Sequence, residues 1–107
     1  MQENLTINEL NKFKEDGAIL LKNKFDQNWI EKLKKGINKD IKNPSPRFKS
    51  HTKKNGIPAY LEDYWTWNLV TEFKDFVFNS PYSKIASELM SAKKINLVMD
   101  NWFLREA

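Results

Sequence analysis

The apolar segment INLVMDNWFL, from Ile95 to Leu104, constrains the fold more than any other part of the chain. Read as a strand, it places apolar side chains on both faces, and polar residues interrupt each face. Such a strand is typical of the interior of a layered sheet, where neighbouring strands pair with it and other elements cover it. We therefore expect either a second chain or a continuation of the sequence to complete the sheet, and we favour the continuation.

The first half of the chain carries the signals of two amphipathic helices. Thr6 and Glu9 have the spacing of a capping box, and Gly17 is a typical C-terminal cap. Asp26 is placed to cap a second helix, which should end before Pro44 because the residue before a proline resists the helical conformation. The apolar stripe of this second helix consists of Trp29, Ile30, Leu33, Ile37 and Ile41.

The remaining segments predict short strands, a loop and two further helices. The apolar run at residues 18–21 predicts a brief buried strand. Residues 43–58 contain three prolines, a glycine and no acidic residue, and they predict a long basic loop. A short helix is expected around residues 73–79, followed by another that Ser80 and Pro81 would begin. The fold class is therefore α+β, and residues 1–107 form either a single domain or the N-terminal segment of a larger one.

The residue inventory excludes several kinds of site. The chain has one histidine, His51, and no cysteine, so thiolate zinc sites, disulfides and cysteine nucleophiles are excluded. His51 lies in the predicted basic loop without a nearby carboxylate, which favours a solvated residue over a metal ligand. Glu62 and Asp63 are adjacent, so their side chains point in different directions on a strand or helix. We predict no catalytic residue and no metal ligand in this chain.

The order of the segments resembles a known family. An opening F-x-x-D-G-x-x-x-L stretch is formed by Phe13, Asp16, Gly17 and Leu21, and the chain closes on DNWFLREA. Together they resemble the N-terminal part of the phytanoyl-CoA dioxygenase-like family of Fe(II)/2-oxoglutarate oxygenases. The resemblance implies the N-terminal helices and first strands of a double-stranded β-helix, a jelly-roll or cupin-like fold, that is incomplete here.

The resemblance also has implications for the site. The family holds iron with an H-x-D pair and a distant histidine, and this chain has no H-x-D. In the family an arginine from the later part of the fold binds 2-oxoglutarate, and Arg105 lies on the wrong segment to do so. Side chains of the strand before H-x-D line the pocket in relatives, which makes Met99, Asn101 and Phe103 candidate wall residues. Fe(II), 2-oxoglutarate and a small organic substrate to be hydroxylated are expected for the full protein, and no cofactor for this chain alone.

Two pairs of interpretations stay open for polar and aromatic residues. Asp100 and Asn101 could orient a ligand, or they could satisfy neighbouring backbone groups. The aromatic residues Tyr60, Trp65 and Trp67 could form a substrate pocket, although aromatic residues at this density are also typical of a hydrophobic core.

Two other functions also stay open. The basic stretch at residues 32–54 could make the chain a freestanding binding module for nucleic acid or another polyanion. Its lysine-rich, arginine-poor composition argues against a nucleic-acid partner and favours a solvated helix face. Alternatively, the chain is a non-catalytic subunit whose open strand pairs with a partner strand. No apolar run approaches the ~20 residues of a membrane span, and the start lacks a signal-peptide pattern, so we predict no membrane partner and a cytoplasmic location.

Overall fold

A computed structural model describes residues 4–55 and 57–105 of the chain. Within these residues it contains four helices, α1 (Ile7–Asp16), α2 (Gln27–Lys42), α3 (Thr71–Asn79) and α4 (Tyr82–Met90). It also contains three strands, β1 (Lys49–Lys54), β2 (Ile57–Tyr64) and β3 (Asn101–Arg105), which form one antiparallel sheet in the order β1-β2-β3. The α+β class is confirmed.

The helix boundaries follow the local capping signals. The Thr6 hydroxyl accepts the Glu9 N–H at 3.1 Å, and the Glu9 carboxylate accepts the Thr6 N–H at 2.8 Å, so the capping box is confirmed. Gly17 ends α1 with a left-handed φ of 75°, a conformation that glycine adopts without steric cost. The Asp26 carboxylate accepts the Trp29 N–H at 3.0 Å and caps α2.

The predicted loop at residues 43–58 is wrong beyond residue 48. β1 occupies its second half and pairs with β2, with Lys49 opposite Glu62. Asn55 lies between the two strands in a left-handed conformation, with φ 54°. The Asn55-Gly56 dipeptide is the strongest short sequence signal for a hairpin, and it would have predicted this pairing.

The predicted strand at residues 18–21 is also wrong. These residues follow α1 as an irregular segment and are hydrogen-bonded to no strand of the described chain. Leu20 is 79% exposed, so the run is not buried as the prediction required. A short apolar run without a neighbouring strand forms no ladder, because backbone pairing is what stabilises a strand.

The predicted strand from Ile95 to Leu104 is only half correct, because β3 begins at Asn101. Its partner β2 ends at Tyr64, where Trp65 adopts a left-handed φ of 58° and turns the chain away. The Trp65 N–H still donates to the Asp100 carbonyl at 2.8 Å. Residues 95–99 make no backbone hydrogen bond within the described chain, so this segment lacks a neighbouring strand there.

The hydrophobic core lies between the helices and one face of the sheet. Val70, Phe73 and Trp102 are buried at its centre. Around them pack partly buried side chains from the helices, the sheet and the connections: Leu33, Ile37, Ile41, Phe48, Leu61, Trp67 and Leu104. Gly36 of α2 allows close approach to α3, since a Cβ there would lie 2.6 Å from a ring carbon of Phe73. Helices α2 and α3 therefore cover one face of the sheet.

Candidate functional site on the open face of the sheet

The sheet face opposite the helices carries aromatic and polar side chains. Because strand residues alternate between faces, the inward positions of Leu61 and Trp102 direct Glu62, Asn101 and Phe103 outward. We call this surface the open face and define it by His51, Tyr60, Glu62, Asn101 and Phe103. The Tyr60 ring lies 5.5 Å from the ring of His51 and 6.2 Å from that of Phe103. Aromatic rings thus run across all three strands.

His51 is not the isolated loop residue that the sequence predicted. It lies in β1, and its Nε2 is 3.1 Å from a carboxylate oxygen of Glu62 in β2. The hairpin brings the two side chains together although eleven positions separate them in the sequence. Among residues 4–55 and 57–105, no three His, Cys, Asp or Glu side chains are grouped so that they could hold a metal ion.

The three predicted wall residues lie at two neighbouring places. Asn101 and Phe103 are exposed side chains of β3, and Phe103 is 56% exposed. Met99 precedes the strand, and together with Asn101 it lines a mainly apolar cavity of about 310 Å³. Leu33 and Phe73 are among the side chains that close this cavity on the helix side. Met99 therefore lies at the cavity, Phe103 lies with Tyr60 on the open face, and Asn101 borders both.

The three predicted substrate-pocket aromatics lie in different places. Tyr60 is half-buried on the open face, whereas Trp65 is exposed beyond the end of β2. Trp67 packs against the hydrophobic core and meets the ring of Phe78 edge-on at 5.7 Å. The core interpretation therefore describes Trp67, whereas Tyr60 lies on the open face, and the substrate-pocket interpretation stays a prediction.

A buried network of aspartates joins the helices to the sheet. Asp40 and Asp63 are 1% and 0% exposed. The Asp63 carboxylate accepts the Ser45 N–H at 3.1 Å, the Ser45 hydroxyl at 2.5 Å and the Tyr64 N–H at 2.8 Å. The Asp40 carboxyl accepts the indole N–H of Trp102 at 3.0 Å. These contacts hold the connection after α2 against the end of β2, and α2 against the inner side of β3.

Asp100, the residue before β3, makes a similar set of contacts. Its carboxylate accepts the Thr66 N–H at 3.0 Å, the Thr66 hydroxyl at 2.8 Å and the Trp67 N–H at 3.1 Å. Of the two interpretations given to Asp100 and Asn101, Asp100 therefore satisfies backbone groups of the turn that follows Trp65. Asn101 faces outward on β3.

The buried aspartates have opposite shifts in pKa. Burial, followed by the hydrogen bond with Asp63, raises the pKa of Asp40 to about 7. Burial also opposes ionisation of Asp63, but hydrogen bonds from Asp40, Ser45 and Tyr64 outweigh it and lower the pKa of Asp63. The pair therefore shares one proton near neutral pH, with Asp40 as donor and Asp63 as acceptor.

Sequence reasoning missed this network although one signal was present. Asp40 lies on the same helical stripe as Leu33, Ile37 and Ile41, where a carboxyl group is buried only if it has partners. Asp63 and Asp100 carried no comparable signal, because their partners are distant in the sequence.

Several cations of the basic stretch contact acids or carbonyls of the same chain. Lys32 and Lys39 of α2 form ion pairs with two acids of α3: Lys32 with Asp75, and Lys39 with Glu72 at 2.7 Å. Arg47 donates to the carbonyls of Tyr64 and Trp65, at 3.0 and 2.9 Å. Because these cations have partners within the chain, the geometry adds no support to the polyanion-binding hypothesis, which stays a prediction.

Comparison of the chain with protein-family models, with curated proteins and with solved structures gives no match. The resemblance to phytanoyl-CoA dioxygenase-like oxygenases therefore rests on the residues quoted above. Within the described part of the chain, none of the helices has the length and apolar character that crossing a membrane requires.

Proposed function

We propose that this chain forms the N-terminal helical cover and first strands of a phytanoyl-CoA dioxygenase-like Fe(II)/2-oxoglutarate oxygenase, which hydroxylates a small organic substrate. The observation that carries the proposal is that, in the part of the chain that the structure describes, helices cover only one face of the sheet. Helices pack on the side of Trp102, while the other side presents Tyr60, Asn101 and Phe103. A sheet with an uncovered aromatic face suits one layer of a two-layer β fold, in which a second sheet packs against that face.

The unpaired edge supports the same proposal. Residues 95–99 have no backbone hydrogen bond within the described chain, and Val98 among them is 85% exposed. An extended apolar segment with free N–H and carbonyl groups accepts an added strand through main-chain hydrogen bonds. In the proposed fold, a strand from the remainder of the oxygenase pairs here and lengthens β3 toward Ile95.

The iron centre itself does not fit the residues described here. His51 and Glu62 are a pair without a third ligand, and no group of three candidate ligands exists among residues 4–55 and 57–105. The chain's proposed contribution is therefore the wall of the pocket. Phe103 supplies an apolar surface, and the Asn101 amide supplies a donor and an acceptor that can orient a polar ligand.

The first test is to read the gene beyond codon 107. We expect an H-x-D motif within a few dozen codons, followed by a distal histidine and an arginine. A reading frame that continues without these residues, or that stops, would refute the proposal.

The second test uses the full-length protein in an assay of 2-oxoglutarate turnover with Fe(II). Phe103→Ala removes a ring from the proposed wall, and we expect the KM for substrate or 2-oxoglutarate to rise by about tenfold, because a large apolar contact is lost. Leu20→Ala is the matched control, since Leu20 is 79% exposed and lies outside the open face. Equal kinetics for the two variants would contradict the assignment of Phe103 to the wall.

A further inference from the structure

Two buried carboxyl groups, Asp40 and Asp63, lie close to the half-buried Asp100, without an ion-pair partner among the described residues. Asp40 and Asp63 are hydrogen-bonded to each other, and the charge of Asp100 acts on Asp40 as well. No Lys, Arg or His side chain of the described residues forms an ion pair with any of the three. A hydrogen bond between two carboxyl groups requires a proton, because two carboxylates have only acceptors.

The charged groups around this pair are engaged elsewhere. On α2, Lys39 pairs with Glu72 of α3, which holds the pKa of Glu72 below its ordinary value. In the connection after α2, the Arg47 guanidinium donates to backbone carbonyls at the end of β2. On the β3 side, the partner of Asp40 is the Trp102 indole, which does not titrate. The neighbours of Asp40 therefore favour its neutral form, apart from the single indole donor.

We propose that Asp40 and Asp63 form a proton-dependent latch, which joins the end of α2 to the sheet and loosens when their shared proton is lost. The latch joins α2, the connection after it, β2 and β3, because Asp63 also holds the Ser45 backbone and hydroxyl while Asp40 holds the Trp102 indole. Loss of the proton places two like charges in a buried space with no cation to compensate. The latch is independent of the oxygenase proposal, since it involves only residues of the described chain.

The direction of the pH effect follows from the pKa of Asp40. This pKa is raised from 3.8 to about 7, so the folded chain binds more protons than the unfolded chain between these values. The contribution of neutral Asp40 to the free energy of unfolding is therefore fully present below pH 3.8 and is lost as the pH rises through about 7. The contribution of Asp63 to the free energy of unfolding has the opposite pH dependence: the pKa of Asp63 is lowered, so its contribution is lost in acid. The latch is closed in mild acid and loosens above neutral pH.

The test compares the wild-type chain with Asp40→Asn by urea denaturation from pH 5 to pH 8.5. The asparagine amide donates to Asp63 and accepts from Trp102 without titrating, so it imitates the protonated aspartate. The ratio of unfolding equilibrium constants, wild type over variant, should rise by up to about a hundredfold between pH 5 and 7 and then level off. Asp75→Asn is the matched control, since Asp75 pairs with Lys32 and its pKa is lowered. Asp75 is therefore ionised throughout this pH range, and the ratio of unfolding equilibrium constants for this variant should not change with pH. A level ratio for Asp40→Asn would overturn the proposal.

A second measurement uses only the wild-type chain, so it tests the latch even if Asp40→Asn fails to fold. Carboxyl ¹³C resonances of labelled aspartate should include one that titrates above pH 6. Hydrogen-exchange protection at the Ser45 and Tyr64 amides, which donate to Asp63, should fall above pH 7. Aspartate resonances that all titrate below pH 5, or protection that does not change with pH, would overturn the latch.

Discussion

Replacing Asp63 with alanine removes the acceptor that holds two segments of the chain together. In the wild-type chain the carboxylate accepts two backbone N–H groups, from Ser45 and Tyr64, and the Ser45 hydroxyl. Asp63 is 0% exposed and Ser45 is buried, so water does not replace these contacts freely. Asp63→Ala should therefore destabilise the fold much more than an exposed substitution does.

The magnitude follows from the donors that lose their partner. Each buried N–H without an acceptor costs about 1–3 kcal/mol, and the Ser45 hydroxyl can rotate toward another acceptor. The buried Ser45 N–H, the part-buried Tyr64 N–H and the Asp40 hydroxyl all lose this acceptor, which gives an expected loss of about 4 kcal/mol in the free energy of unfolding. Typical domains have about 5–15 kcal/mol in total, so the variant should be close to the limit of stability.

Urea denaturation followed by circular dichroism at pH 5 measures this loss. At that pH Asp40 carries its proton, because its pKa is about 7, so repulsion between the two aspartates does not obscure the result. Asp26→Ala is the control: it removes the exposed cap of α2 and should cost about 1 kcal/mol. A loss for Asp63→Ala no larger than that of the control would refute the reasoning that the buried contacts hold the joint.

Two further substitutions test the packing around the latch. Gly36→Ala should lower the free energy of unfolding by about 1–3 kcal/mol, because the added Cβ lies 2.6 Å from the Phe73 ring and this clash outweighs the better helix propensity of alanine. Thermal or urea denaturation measures the change, and an increase in stability would contradict the close contact between α2 and α3. Trp102→Phe keeps most of the buried ring but removes the N–H that Asp40 accepts at 3.0 Å. It should raise the pKa of Asp40 further, and ¹³C NMR of the aspartate carboxyl groups would show whether that midpoint moves upward.

The starts and ends of the first two helices could be predicted because their signals are local. The capping box of Thr6 and Glu9, the glycine at position 17 and the cap at Asp26 act within one helical turn, and each is confirmed. The hairpin was also within reach of local reasoning, through Asn55-Gly56, but the prolines and lysines around it favoured a loop.

The candidate site depended on contacts that no local pattern specifies. Strand β3 pairs with β2 across some forty residues, and this pairing brings Phe103 next to Tyr60. The apolar character of the segment from Ile95 to Leu104 predicted a strand over its whole length. Only Asn101–Arg105 forms one, because a strand extends only as far as its neighbour and β2 ends at Tyr64.

The sequence by itself determined the α+β composition, the helix caps and the apolar stripe of α2, since each depends on residues a few positions apart. The tertiary structure alone decided which face of the sheet is open and where β3 begins. It also decided that Asp40 and Asp63 are brought together in the interior, with the half-buried Asp100 nearby. The physical reason is that backbone pairing and the burial of carboxyl groups depend on partners that only the folded chain brings within a few ångströms.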